Sequence, residues 1–138
     1  MLGLRLYQFQ TIDDIMLINK GAIAEQVVGQ LLRLLLPFYI EPTLYYWNRE
    51  TQGASAEIDY LIQDNQQLIP IEVKAGSEGK LRSLHQFIYE KSWKKAIRFY
   101  ANTAYKRKMN TQTTQGDSVC YELISLPFYL SEQLYRLI

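Results

Sequence analysis

Apolar and polar residues alternate most clearly in two adjoining runs, Glu57-Ile58-Asp59-Tyr60-Leu61-Ile62 and Leu68-Ile69-Pro70-Ile71-Glu72-Val73-Lys74. Period-two alternation marks half-buried strands, and the Asp64-Asn65-Gln66-Gln67 link tolerates turn conformations, so the pattern predicts a β-hairpin. In the second strand Ile69, Ile71 and Val73 point one way, Glu72 and Lys74 the other; in the first, Asp59 stands opposite Ile58, Tyr60 and Ile62. A two-residue turn at Asn65-Gln66 pairs Asp64 with Gln67 and, continued along the ladder, Asp59 with Glu72. Directly opposed residues have Cβ atoms roughly 4.5–5.5 Å apart, and two carboxylates that close destabilise a sheet unless a cation compensates. A divalent metal ion between them or Lys74 beside them would do so, whereas an odd-length turn would separate them.

The rest of the chain is read from the same patterns. Gly21 to Leu36 has a helical repeat, with Asn19 as its cap and Pro37 at its end. Glu25 shares a side with Val28, Gly29, Leu32 and Leu36, where a carboxylate carries a desolvation cost unless paired or liganded. Residues 1–18 lack a clean period and read as a loosely structured helical lead-in. Leu44 to Trp47 is a short aromatic strand, followed by a polar turn over Arg49–Ser55. A helix over Lys80–Ser92 buries Leu81, Leu84, Phe87 and Ile88, and Ala96–Tyr100 is a strand. Asn102 to Gly116 reads as a long, polar, mobile loop, Val119–Leu126 as the last strand, and Phe128–Leu137 as a closing helix behind Pro127. Tyr45, Tyr46, Tyr60 and Tyr100 fall in strands and are expected in the core. This order predicts one α/β domain over residues 1–138, a mixed central sheet flanked by helices. Its first three strands form an antiparallel meander, and a later strand returns by helical crossover.

Composition narrows the chemistry. The 138 residues are 48% hydrophobic and 21% charged, an ordinary globular balance, and the net charge of +1 gives no global reason to expect nucleic acid. The charge is segregated, however: residues 1–70 carry 4 Lys/Arg against 8 Asp/Glu, and residues 71–138 carry 11 against 6. Lys91, Lys94, Lys95, Arg98 and the run Lys106-Arg107-Lys108 are thus candidates for a phosphate backbone or simply a solvated face. Cys120, the single cysteine, excludes an internal disulfide and suits a reducing cytoplasm. No run approaches the ~18 apolar residues of a membrane span and no secretory leader opens the chain, so a cytoplasmic location without membrane contact is expected. One histidine and one cysteine cannot build a zinc cluster of the usual spacing or a Ser/His/Asp arrangement. His85 reads as a surface residue or a phosphate contact.

Asp59, Glu72 and Lys74, with Glu25 on the preceding helix, form the one constellation with a specific chemistry. Mg²⁺ or Mn²⁺ takes oxygen ligands and retains several waters. Asp59 and Glu72 supply carboxylates, the Val73 carbonyl a backbone oxygen, and Glu25 completes or orients the shell. Lys74 stands where it assists a metal-bound water. The competing reading is an ordinary cross-strand ion pair on a solvated face.

Gly21-Ala22-Ile23-Ala24-Glu25-Gln26, Leu44-Tyr45-Tyr46-Trp47, Ala56-Glu57-Ile58-Asp59-Tyr60-Leu61-Ile62 and Ile69-Pro70-Ile71-Glu72-Val73-Lys74-Ala75-Gly76 resemble the carboxy-terminal domain, itself of unknown function, of a group of bacterial and archaeal ATPases. That domain is similar to the PD-(D/E)XK nuclease superfamily, and the resemblance extends to Leu81-Arg82-Ser83-Leu84 and Leu126-Pro127-Phe128-Tyr129. It implies a restriction endonuclease-like α/β sandwich. It also gives Glu25, Asp59, Glu72 and Lys74 the roles of helix glutamate, two metal carboxylates and catalytic lysine. Ile58 stands where many members carry proline. Gln86 resembles a glutamine that some members carry in the helix after the active strand. The function implied is a Mg²⁺- or Mn²⁺-dependent phosphodiesterase acting on nucleic acid, DNA rather than RNA, linked to an ATPase domain or subunit. The alternative is a non-catalytic regulatory domain that binds nucleic acid or a partner, and a homo-oligomer is a further possibility. No ATPase domain lies in the chain: Gly79-Lys80 lacks the earlier glycine and following Ser/Thr of a phosphate-binding loop, Lys74 and Leu81 occupying those positions.

Overall fold

The computed structural model describes residues 12–51, 54–76 and 79–138. Helix α1 (Ile12–Leu34) is followed by strands β1 (Tyr45–Thr51), β2 (Ala54–Asp64) and β3 (Gln67–Val73), helix α2 (Arg82–Lys91), and strands β4 (Lys95–Tyr100), β5 (Tyr105–Gln112) and β6 (Ser118–Pro127). A 3₁₀ segment (Phe128–Gln133) then leads into the short helix α3 (Leu134–Leu137). The six strands form one sheet in the order β1-β2-β3-β4-β6-β5. The β1–β2, β2–β3 and β5–β6 pairs are antiparallel, while β3–β4 and β4–β6 are parallel. The expected meander and helical crossover are both present, α2 carrying the chain from β3 to its parallel neighbour β4.

Strand alternation sends side chains to two cores. On one side Ile69, Ile71 and Val73 of β3, Ile97 and Phe99 of β4, and Ile124 and Leu126 of β6 meet Val28 and Leu32 of α1 and Leu134 of α3. On the other, Ile58, Ala96, Tyr121 and Leu123 meet Leu81, Leu84, Phe87 and Ile88 of α2. At roughly 25 cal/mol per Å² of apolar surface removed from water, these two contacts are the main stabilising term of the domain. Trp47 of β1 packs its ring edge-on against Phe87, with centroids 5.2 Å apart.

Four expectations are corrected. Helix α1 runs through Asn19, which is interior rather than a cap, and residues 12–18 of the lead-in are helical. An asparagine costs under about 0.7 kcal/mol in a helix interior, too little to stop propagation through its neighbours. Residues 1–11 lie outside the described residues. The Arg49–Ser55 turn is shorter than predicted, since β1 runs to Thr51 and β2 begins at Ala54. Most of the polar loop expected over Asn102–Gly116 is β5, an outer strand exposed to solvent along most of its length. Its hydrogen bonds to β6, not a buried face, make it a strand, so polarity hid it. Tyr45 and Tyr46 are 59% and 69% exposed because β1 is the opposite edge of the sheet; Tyr60 is half-buried and Tyr100 buried.

Candidate metal site

The β2–β3 hairpin has the predicted even register, Asp64 pairing with Gln67 and Tyr60 with Ile71. Asn65 takes φ 55°, a left-handed value that Asx residues tolerate, at the two-residue turn. The ladder stops one step short of the expected Asp59–Glu72 pair, and the reason lies on the other side of β2. Along β1–β2, Tyr45 pairs with Leu61 and Trp47 with Ile58, so β2 advances three residues while β1 advances two. The extra residue is a β-bulge at Asp59–Tyr60. It reverses the alternation: Ile58 enters the core beneath α2, whereas Tyr60 packs toward α1. Bulges re-aim side chains in this way. The Asp59 carboxylate is turned across the end of the ladder, where its Oδ2 accepts the Val73 N–H at 2.6 Å. The sequence-based picture of Ile58, Tyr60 and Ile62 on one face is corrected accordingly.

Strand β3 supplies the other two groups. Glu72 is only 6% exposed. Its Oε1 accepts a short hydrogen bond from Lys74 Nζ, and its Oε2 is buried without a partner. The Lys74 N–H is tied to the Phe99 carbonyl at 2.8 Å, which fixes the end of β3 against β4. Glu25 reaches the same place from α1. Its carbonyl accepts a hydrogen bond from the Tyr60 hydroxyl at 2.8 Å, so the residue after the bulge ties the helix to the strand.

The electrostatics show that these groups share one environment. Burial pushes Glu72 up to about 7, and the neighbouring Asp59 and Glu25 charges add to the rise while Lys74 opposes it. Asp59 is raised by burial, against the pull of the Val73 N–H and Lys74. Glu25 is raised by burial and by the charges of Asp59 and Glu57, with Lys74 again opposing. Asp59, Glu72 and Lys74 therefore meet at the end of β3, and Glu25 lies near enough for its charge to act on Glu72. Sequence reasoning missed Glu57, two residues before Asp59, whose charge acts on both Glu25 and Asp59; the Glu-X-Asp spacing on one strand was the available signal.

The group is an incompletely neutralised carboxylate cluster, and its donor set can be compared with the needs of a hard cation. All its acceptors are oxygens, and Glu72 Oε2 is a buried acceptor lacking any donor, which is the position a cation would satisfy. Among the described residues no three His, Cys, Asp or Glu side chains are gathered as a metal cage. A two-carboxylate site completed by waters, the usual mode for Mg²⁺, fits what is present.

The expected basic nucleic-acid residues do not form one surface with this cluster. Lys94, in the turn after α2, and Lys95, at the start of β4, lie at the end of the sheet away from Lys74. Lys106, Arg107 and Lys108 are exposed on the edge strand β5, three strands from β3. Gln86 is buried in α2, its Nε2 donating to Glu90 Oε1 at 2.8 Å. His85 is half-buried beside Tyr121, with ring centroids 5.9 Å apart, and burial lowers its pKa; it is not a plain surface residue. Arg98, on β4 beside Glu72, is buried and donates to Ser125 Oγ and to the Tyr105 hydroxyl.

No helix of the described residues is long and apolar enough to cross a membrane. No curated protein matches the chain. A protein-family profile described as Domain of unknown function (DUF4143) matches residues 20–129, a span that contains Glu25, Asp59, Glu72 and Lys74 together with all six strands. The chain belongs to this DUF4143 family of domains of unknown function.

Proposed function

We propose that the domain is a Mg²⁺- or Mn²⁺-dependent phosphodiesterase of restriction endonuclease-like fold, acting on nucleic acid and working with an ATPase domain or subunit. The observation that carries the reading is the convergence of Glu25, Asp59, Glu72 and Lys74 around a bulge, with Glu72 Oε2 buried and unpartnered. Solvated ion pairs need neither the bulge nor the burial.

Asp59 and Glu72 would hold the cation, with the Val73 carbonyl as a further oxygen. The bound cation would supply Lewis-acid activation of water and charge neutralisation at the phosphate. The chain's own residues act around it. The Val73 N–H fixes the rotamer of Asp59. Glu25, tethered through its carbonyl to Tyr60, adds negative charge at the edge of the site and favours cation entry. Lys74 holds Glu72 Oε1 in the absence of substrate and is the group able to exchange that contact for an attacking water or a phosphate oxygen.

The reading is tested by titrating the purified domain with Mn²⁺ and following thermal unfolding. Saturable stabilisation in the native chain, lost in Asp59→Asn, supports it, because a ligand bound only by the folded state raises stability by RT ln(1 + [L]/Kd). Cleavage of DNA or RNA that survives undiminished in both Asp59→Ala and Lys74→Ala would sink it. The second reading, a regulatory module that binds without cleaving, is favoured by the lack of a three-carboxylate cage among the described residues. Oligonucleotide binding with no Mn²⁺ response would select it.

A further inference from the structure

A second polar site lies on the α2 side of the sheet. A cleft of about 330 Å³ is lined by Arg49, Ser55, Arg82, Ser83, Gln86 and the turn residues Thr114 and Gln115. It is bounded by the β1–β2 hairpin, by α2, and by the tip of the β5–β6 hairpin. The β5–β6 arm reaches beyond β4, because β4 pairs with β6 only from Lys95–Glu122 onward, leaving Ser118–Tyr121 paired to β5 alone.

The cleft is built rather than incidental. Arg82, Gln86 and Glu90 recur every four residues along α2 and so form one stripe. Glu90 Oε1 accepts from Gln86 Nε2 at 2.8 Å and is ion-paired with Arg49 Nε at 2.9 Å, which holds both groups in place. The Arg49 pair uses Nε and leaves the terminal amino groups of the guanidinium to other partners. Arg82 is exposed on the first turn of α2 and has no ion pair among the described residues. Ser83 Oγ accepts the Glu57 N–H at 3.3 Å, joining the helix to β2. On the opposite wall Thr113, itself buried, organises the turn: its Oγ1 accepts from the N–H groups of Gln115 and Asp117, and it donates to Asp117 Oδ2.

Guanidinium groups, hydroxyls and primary amides, with a single apolar Ala56 among the lining residues, are the groups that bind phosphate and sugar along a nucleic-acid backbone. Ser55 is four residues before Asp59 on β2, roughly 13 Å along a strand, so one polyanion could occupy the cleft and reach the carboxylate cluster. We infer that this cleft binds the sugar-phosphate backbone of a single nucleic-acid strand and feeds it toward Asp59 and Glu72. The choice of a nucleic acid as the polyanion rests on the phosphodiesterase reading above; the cleft and its cationic character do not.

The test is fluorescence anisotropy of a labelled single-stranded DNA oligonucleotide with the whole chain in EDTA, so that no cation bridge contributes, over a series of salt concentrations. Arg82→Gln is expected to weaken binding roughly three- to tenfold and to reduce the slope of log K against log salt by about 0.7, the loss of one phosphate contact on a single strand. Gln86→Ala is expected to weaken it with little change in slope. The joint variant Lys106→Gln, Arg107→Gln, Lys108→Gln, on the distant edge, is expected to bind within about twofold of the native chain. Unchanged circular dichroism and melting temperature show that each variant is folded. Equal affinity in Arg82→Gln and the native chain, or a larger loss in the β5 variant than in the cleft variants, or no binding by the native chain, would overturn the inference. Failure of the phosphodiesterase reading is read separately: cleft-dependent binding with no Mn²⁺ response and no cleavage keeps this inference and removes that one.

Discussion

Glu72 is buried with one carboxylate oxygen unpartnered. Burial raises its pKa from 4.5 to about 7, so the folded state takes up a proton between those values that the unfolded chain does not. The associated stability is present below about pH 4.5 and is lost as the pH rises through 7, to a total on the order of 3 kcal/mol. Glu72→Gln, which cannot ionise, should therefore match the native chain near pH 4 and exceed it at pH 8 in the absence of metal. Parallel stability–pH curves for the two proteins, from denaturant titrations, would contradict the assigned environment. A second residue-scale prediction concerns Gly29 of α1. A Cβ there would lie 2.5 Å from the Tyr60 hydroxyl oxygen and 2.9 Å from its ring carbon Cζ, so Tyr60 would have to move and give up its bond to the Glu25 carbonyl. Gly29→Ala should destabilise by about 1 kcal/mol net, since overpacking costs ~1–3 and the helical preference of alanine returns up to ~1. In a Tyr60→Phe background the cost should shrink without vanishing, because the hydroxyl clash is gone while the ring carbon 2.9 Å away remains, and a double-mutant cycle reads the difference.

Among the elements, α2 is positioned by its ends as much as by its apolar face. Ser92 terminates it at φ 54°, ψ 32°, its N–H reaching back to the Ile88 and Tyr89 carbonyls. Glycine is the residue best suited to that conformation, so Ser92→Gly should raise stability by about 0.5–1 kcal/mol, measurable as a higher denaturant midpoint at unchanged m-value. The pair β1 and β5 makes a different point. Both are sheet edges, yet β5 carries Lys106, Arg107 and Lys108 while β1 begins Tyr45-Tyr46-Trp47. Charged edges resist pairing with other chains, which gives the β5 lysines a structural reason to be there independent of nucleic acid.

Across the whole molecule the sheet is shared by two cores, one under α1 and α3 and one under α2. Phe99, in the first, is fully buried, and Phe87, in the second, is 1% exposed. Phe99→Ala and Phe87→Ala should each cost about 3–5 kcal/mol, a large share of the ~5–15 kcal/mol stability of a domain. Because the strands belong to both cores, each variant should still unfold in one transition seen alike by far-ultraviolet circular dichroism and tryptophan fluorescence. Two separated transitions in either variant would show that the cores are independent.

The amino-acid sequence by itself determined the local pieces with a strong repeat: the β2–β3 hairpin and its even register, the α2 stripe of Leu81, Leu84, Phe87 and Ile88, and the helical crossover to a parallel strand. It also singled out Glu25, Asp59, Glu72 and Lys74, because a carboxylate on an apolar helix face and two more on facing strands are costly without a shared purpose. Polar or solvent-facing segments hid the rest. The β5 strand carries no alternating pattern, and its pairing with β6 is made by backbone hydrogen bonds that no side-chain periodicity records. The exposure of Tyr45 and Tyr46 follows from strand order, a non-local property. The decisive tertiary feature is the bulge at Asp59–Tyr60: one extra residue between Ile58 and Leu61 reverses the faces of β2 and hands Asp59 the Val73 N–H in place of a ladder partner opposite Glu72. Period-two alternation assumes an unbroken ladder, and only packing Ile58 beneath α2 and Tyr60 against α1 together decides where that ladder breaks.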